Sequence, residues 1–137
     1  MSNEIVPKGY KKLEIAQPHI ETLGPGYYKR EEDGQLVFAF YVKPENCNQA
    51  GSAHGGMLMA IADYTLATTI MEGPRNPVAT ISFHSEFIAP AKVGELLEVK
   101  AIRTKLGTSL GFSEGKIKVG TKIIMNFGGV IKKMDKK

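Results

Sequence analysis

One uninterrupted run constrains this chain more than any other feature. Residues 57–71, MLMAIADYTLATTIM, form 15 consecutive positions without glycine or proline. Met57, Leu58, Ala60, Ile61, Leu66, Ala67, Ile70 and Met71 are spread almost all round a 3.6-residue helix. A helix of that kind is normally buried on most of its sides. Gly73-Pro74 and Pro77 end it. No stretch reaches the roughly 18 apolar residues of a membrane span.

The rest is cut into strand-length pieces. Residues 27–31 and 35–42 read as short strands joined at Asp33-Gly34, a good hairpin turn, and Pro44 ends the second. Beyond the helix, residues 78–89 alternate, with Ile81, Phe83 and Phe87 expected on one face and Thr80, Ser82, His84 and Glu86 on the other. Pro90 and Gly94 mark a turn. Residues 95–106 and 108–119 are two more strands joined at Gly107, and Gly120-Thr121 turns into residues 122–132. Two strands, one long helix and four strands predict an α+β fold: an antiparallel β-sheet wrapped around one long central α-helix.

A length of 137 residues leaves little room for a second domain. Residues 1–22, broken by Pro7, Gly9 and Pro18, read as an N-terminal extension with room for a short helix at residues 11–16. Residues 23–137 read as one domain, opened by the turn Leu23-Gly24-Pro25-Gly26. A chain this short often gains burial by oligomerising.

The net charge of +4 is partly carried by Lys132, Lys133, Lys136 and Lys137, a solvated tail in its simplest reading. No dense basic stripe interleaved with aromatics is present, which argues against a nucleic-acid partner. A modest positive excess does suit a small polyanion such as a nucleotide phosphate. A single cysteine, Cys47, rules out an internal disulfide framework or a CxxC metal motif. Residues 1–12 are polar and unlike a signal peptide. Together these features lead us to expect a cytoplasmic protein with no membrane partner.

The chemistry concentrates at the start of the helix, after Asn48-Gln49-Ala50-Gly51-Ser52-Ala53-His54-Gly55-Gly56. Paired glycines at a helix tip leave amide N–H groups unobstructed at the positive end of the dipole, a site for a developing oxyanion. Gly55 and Gly56 equally suit a tight loop or close helix–sheet packing. Asp63 is the odd residue in the run, because its neighbours three and four positions away, Met59, Ala60, Leu66 and Ala67, offer no charge partner. Desolvated there, a carboxylate becomes a capable base. The plainer alternative is an Asp that reaches solvent or caps a nearby loop. Gly55 and Asp63 lie eight residues apart, about 12 Å along one helix, too far to act on one carbonyl carbon. Two antiparallel helices about a two-fold axis would bring the tip of one to the middle of the other, giving two shared sites per dimer.

The pattern N-x-x-G-x-x-H-G-G, with Asp seven positions after the last glycine, resembles the hotdog-fold acyl-CoA thioesterases. Within them it is similar to the phenylacetate-pathway group. The likeness runs over residues 27–130 and includes the turn Phe87-Ile88-Ala89-Pro90-Ala91-Lys92-Val93-Gly94-Glu95. The resemblance implies hydrolysis of an acyl-CoA to a carboxylic acid and CoA, without metal or other cofactor, by a homodimer paired into a tetramer. By position, Asn48 and the Gly55 amide would polarise the thioester carbonyl. Asp63 of the partner subunit would activate water or attack directly. Thr80 would hold that water or carboxylate, with Ser82 a fallback on the same expected strand face. His54 would shape the loop and Gly56 would complete the helix tip.

Met57, Leu58 and Ile61 are candidates for the acyl pocket, with core packing their default reading. Met57, Met59 and Met71 would give a pliable lining. Arg103, Lys105 and Lys116 are candidates for the CoA phosphates, or simply members of solvated strand faces. His19 and His84 have no metal-ligand spacing with His54, and Cys47 reads as a filler thiol rather than a nucleophile. Two other classes suit the same fold: a hydratase or dehydratase on acyl-CoA, and a non-catalytic acyl-CoA binder.

Overall fold

A computed structural model describes residues 5–71 and 76–134. The apolar run forms helix α2 (Gly55–Ile70). Around it lie strands β1 (Lys11–Lys12), β2 (Gly26–Arg30), β3 (Leu36–Tyr41), β4 (Val78–Phe87), β5 (Leu96–Leu106), β6 (Leu110–Val119) and β7 (Lys122–Lys133). A short helix, α1 (Pro18–Glu21), precedes β2. The strands form one seven-stranded sheet in the order β1-β2-β3-β5-β6-β7-β4, antiparallel at every pairing. This is the α+β wrap that the sequence predicts. At Asp33-Gly34 the β2–β3 hairpin turns as expected, with Gly34 at φ 84°.

The core lies between the helix and one face of the sheet. Ile61 and Leu66 of α2 are fully buried against Leu97, Val99, Ile117 and Ile131. The threonines that interrupt the helix are satisfied locally. Thr65 donates to the carbonyl of Ile61 at 2.7 Å, and Thr69 to that of Leu66 at 2.8 Å. The helix comes so close to β6 that a Cβ at Gly111 would stand 2.4 Å from Ile70 Cδ1.

Three expectations change. First, α2 is not buried on most sides. The sheet covers one side only, and Met59, Asp63 and Met71 remain exposed. Second, no helix forms at residues 11–16; that stretch opens with β1, paired to β2. Its anchor is Tyr10, which is buried in a second apolar cluster with Tyr27, Val37 and Ala39, and whose hydroxyl donates to the Glu98 carboxylate. Extended backbone then brings the Leu13 N–H to the Gly26 carbonyl at 2.9 Å. Third, Lys132 and Lys133 belong to β7 rather than to a tail. Lys136 and Lys137 fall outside the described residues, as do Gly73 and Pro74.

The alternation along β4 also breaks. A bulge between Thr80 and Ser82 adds one residue opposite β7, and an extra residue switches which face the later side chains take. Thr80 and Phe83 both lie on the helix side: Thr80 bonds to a side chain of α2, and Phe83 stacks on Phe127 of the core. Ser82 pairs with Val130, which alternates with the core residue Ile131, so Ser82 takes the outer face with His84. Thr80 and Ser82 therefore do not share a face. Among the described residues, no helix is long and apolar enough to cross a membrane.

Candidate active site

The loop before α2 is tied on both sides. Asn48 Oδ1 accepts from the amides of Ala50 at 3.0 Å and Ser52 at 3.2 Å, and the Asn48 N–H reaches the Ser52 carbonyl at 2.8 Å. With the oxygen committed to the loop, the side-chain NH2 is the group Asn48 can offer a ligand. Ala53 donates to the Ala91 carbonyl at 2.8 Å and His54 to that of Asn46 at 2.8 Å, so the loop end is held between two segments.

His54 is the N-cap of α2. Its Nδ1 accepts the Gly56 N–H at 2.8 Å, which is the role Ser or Asp usually fills at a helix start. That bond fixes the tautomer, with the proton on Nε2, and satisfies the second amide of the helix. The first, that of Gly55, stands where the dipole is most positive. Gly55 lines a cleft of about 450 Å³ together with Asn48, Leu58, Phe87, Ile88 and Pro90. A Cβ at Gly55 would lie 3.1 Å from Phe87 Cζ, so glycine here admits the aromatic ring. The cleft therefore joins two N–H donors to an apolar wall, a suitable seat for a polarised carbonyl.

Asp63 lies two turns further along α2 and is exposed on the single chain, not desolvated as its helical neighbours led us to expect. Its Oδ1 accepts a 2.6 Å hydrogen bond from Thr80 Oγ1. It is absent from the lining of the Asn48–Gly55 cleft. Two exposed apolar side chains sit close to it in the chain or on its partner strand: Met59, one turn earlier on α2, and Ile81, next to Thr80, are 39% and 57% exposed.

The remaining sequence candidates scatter. Met57 and Ile61 are core residues, and Leu58 alone of that trio also lines the cleft. Met57 is buried while Met59 and Met71 are exposed, so the three methionines make no common lining. Ser82, on the outer face, is away from Asp63. Arg103 borders a separate groove beside the last turns of α2, with Arg30 and Thr68. Lys105 is exposed opposite Phe112. Lys116 bonds to Asn126 Oδ1 at 2.8 Å on the outer face, near His84. The three basic residues thus form no single patch. Cys47 Sγ contacts the Lys43 carbonyl at 3.5 Å, half-buried. Phe87, read from the alternation as a sheet-face residue, is a cleft wall; the glycine at position 55 was its only sequence trace.

Residues 50–123 match the family model of the thioesterase superfamily. A Pseudomonas aeruginosa protein named as an esterase is 32% identical over 127 residues, 91% of this chain and 95% of its own. Mouse acyl-coenzyme A thioesterase 13 is 26% identical over 80 residues, 58% of this chain and 57% of its own. The PaaI protein of the Escherichia coli phenylacetic acid degradation operon superposes with a TM-score of 0.79 at 20% identity, covering 89% of this chain and 88% of its own. A sheet wrapped on one central helix, shared with that structure, is the hotdog fold, and the chain belongs to the thioesterase superfamily.

Proposed function

We propose that this protein is an acyl-CoA thioesterase whose site is shared between two copies of the chain. Asn48 and the Gly55 amide of one subunit hold the thioester carbonyl oxygen. Asp63 of the other subunit, steadied by Thr80, acts as general base on the attacking water or as nucleophile. A thioester is already an activated acyl group, so a base, a water and an oxyanion seat suffice for turnover.

The observation that carries this reading is the separation of the two halves. The donors line a cleft whose walls do not include Asp63, and Asp63 is held by Thr80 on an exposed surface, with exposed Met59 one turn before it on α2. A second copy placed antiparallel would cover that surface, exclude water from the carboxylate and set it against the first copy's helix tip. Dimers of this kind pair further into a tetramer. Arg103, with Arg30 in its groove, is the best placed of the basic candidates for a CoA phosphate, since Lys116 already engages Asn126.

Thiol release from a panel of acyl-CoAs, measured alongside sedimentation, tests the proposal. Hydrolysis by an assembled wild type and its loss in an equally assembled Asp63→Asn variant are expected. Undiminished turnover by that variant, or a fully active monomer, would overturn it. Hydration of crotonyl-CoA without thiol release would favour the hydratase class instead.

A further inference from the structure

We propose that Phe87 is the specificity-determining residue of this site, its ring forming the wall on which the acyl group lies. This rests on the reading of Asn48 and Gly55 as the carbonyl-binding pair. Two observations carry it. The ring lies directly over the first residue of α2: a Cβ at Gly55 would be 3.1 Å from Cζ and 3.3 Å from Cε1. Yet the side chain is 54% exposed, although it comes from the strand face that packs on the helix. A phenyl group held against a helix tip and open on its other face is placed to meet a ligand, and Ile88, Leu58 and Pro90 extend its apolar surface along the cleft.

A carbonyl carbon bound at Asn48 and Gly55 carries two substituents, and one of them must lie on that wall. The sulfur leads into the pantetheine arm, whose amides would lose water against a phenyl ring without gaining hydrogen bonds, at a cost. The acyl chain has no such groups. It gains from burial against Phe87 and Ile88, while the CoA arm leaves towards solvent. The ring therefore sets the room available on the acyl side and leaves recognition of CoA unchanged.

Wild type, Phe87→Leu and Phe87→Ala are compared on acetyl-, hexanoyl-, decanoyl- and benzoyl-CoA by kcat/KM. Calorimetric affinities are measured in parallel for ketone analogues with a methylene between carbonyl and sulfur, which cannot be hydrolysed, and for CoA alone. The expected result is a change of about tenfold or more in the ratio of bulky to acetyl substrates for the Ala variant, the scale on which apolar pockets discriminate. Leu should fall between, with CoA affinity unchanged. Equal changes across all acyl groups, or a loss of affinity for CoA itself, would overturn the proposal. If wild type releases no thiol from any substrate, the hydrolase reading fails, and the analogue affinities still decide the role of Phe87. If the Ala variant does not assemble, the Leu variant carries the comparison.

Discussion

Thr80 reaches Asp63, with Oγ1 and Oδ1 2.6 Å apart, on the helix side of a strand whose next residues change sides at a bulge. Without that extra residue, Thr80 and Phe83 would point to opposite faces. The bulge lets one strand supply both a hydrogen-bond donor to the carboxylate and, further along, the aromatic wall at the helix tip. Bulges often serve to re-aim side chains beside a site in this way.

Replacing the carboxylate should remove the chemistry and keep the protein. Asp63→Asn is isosteric, and its exposed position implies little effect on the fold of the single chain. Loss of about 10² to 10⁴ in kcat is expected, the usual contribution of a positioned base. The check is steady-state thiol release at matched sedimentation profiles.

The Thr80 hydroxyl should be separable from its shape. Thr80→Val keeps the β-branched form and removes the donor to Asp63. A hydrogen bond to a charged group contributes about 1.5 to 3 kcal/mol, so a fall in kcat of roughly 10- to 100-fold is expected, with Thr80→Ser close to wild type. Equal rates for Val and Ser would remove Thr80 from the mechanism.

His54 should act as a cap rather than as a proton carrier. His54→Asn retains an acceptor suited to the Gly56 amide, while His54→Ala does not; loss of a cap costs about 0.5 to 2 kcal/mol. Amide exchange at Gly56 should quicken in the Ala variant and stay slow in the Asn variant, with kcat following the same order. An inactive but well-capped Asn variant would instead require the imidazole itself.

Gly111→Ala should weaken the packing of α2 on the sheet. The new methyl group meets three atoms of buried Ile70 at 2.4 to 2.9 Å. Overpacking of this kind costs about 1 to 3 kcal/mol, read as a shift in denaturation midpoint at fixed protein concentration.

The long helix was legible because fifteen residues without a breaker can be little else, and the β5–β6–β7 segments because their turns carry Gly107 and Gly120-Thr121. The pairing of Thr80 with Asp63 followed from family position rather than from alternation. The alternation itself failed beyond Thr80, since a bulge has no compositional mark in Thr80-Ile81-Ser82. The exposure of Asp63 was hidden for a different reason. A sequence reports how apolar a helix is, but not how much of its circumference one sheet can cover. Residues 10–13 read as loop or helix because the partner that extends them, the Tyr10 contact with Glu98, joins positions 88 residues apart.

The two margins of the sheet are unequal. Among the described residues, β1 ends one with a two-residue stub, while β4 ends the other with ten residues that have no strand beyond them. A sheet with only one long open margin can be continued by a like copy once. Were that join made, only two-residue margins would remain, and so short an edge offers a further strand little to pair with, which works against open-ended growth of the sheet into a fibre.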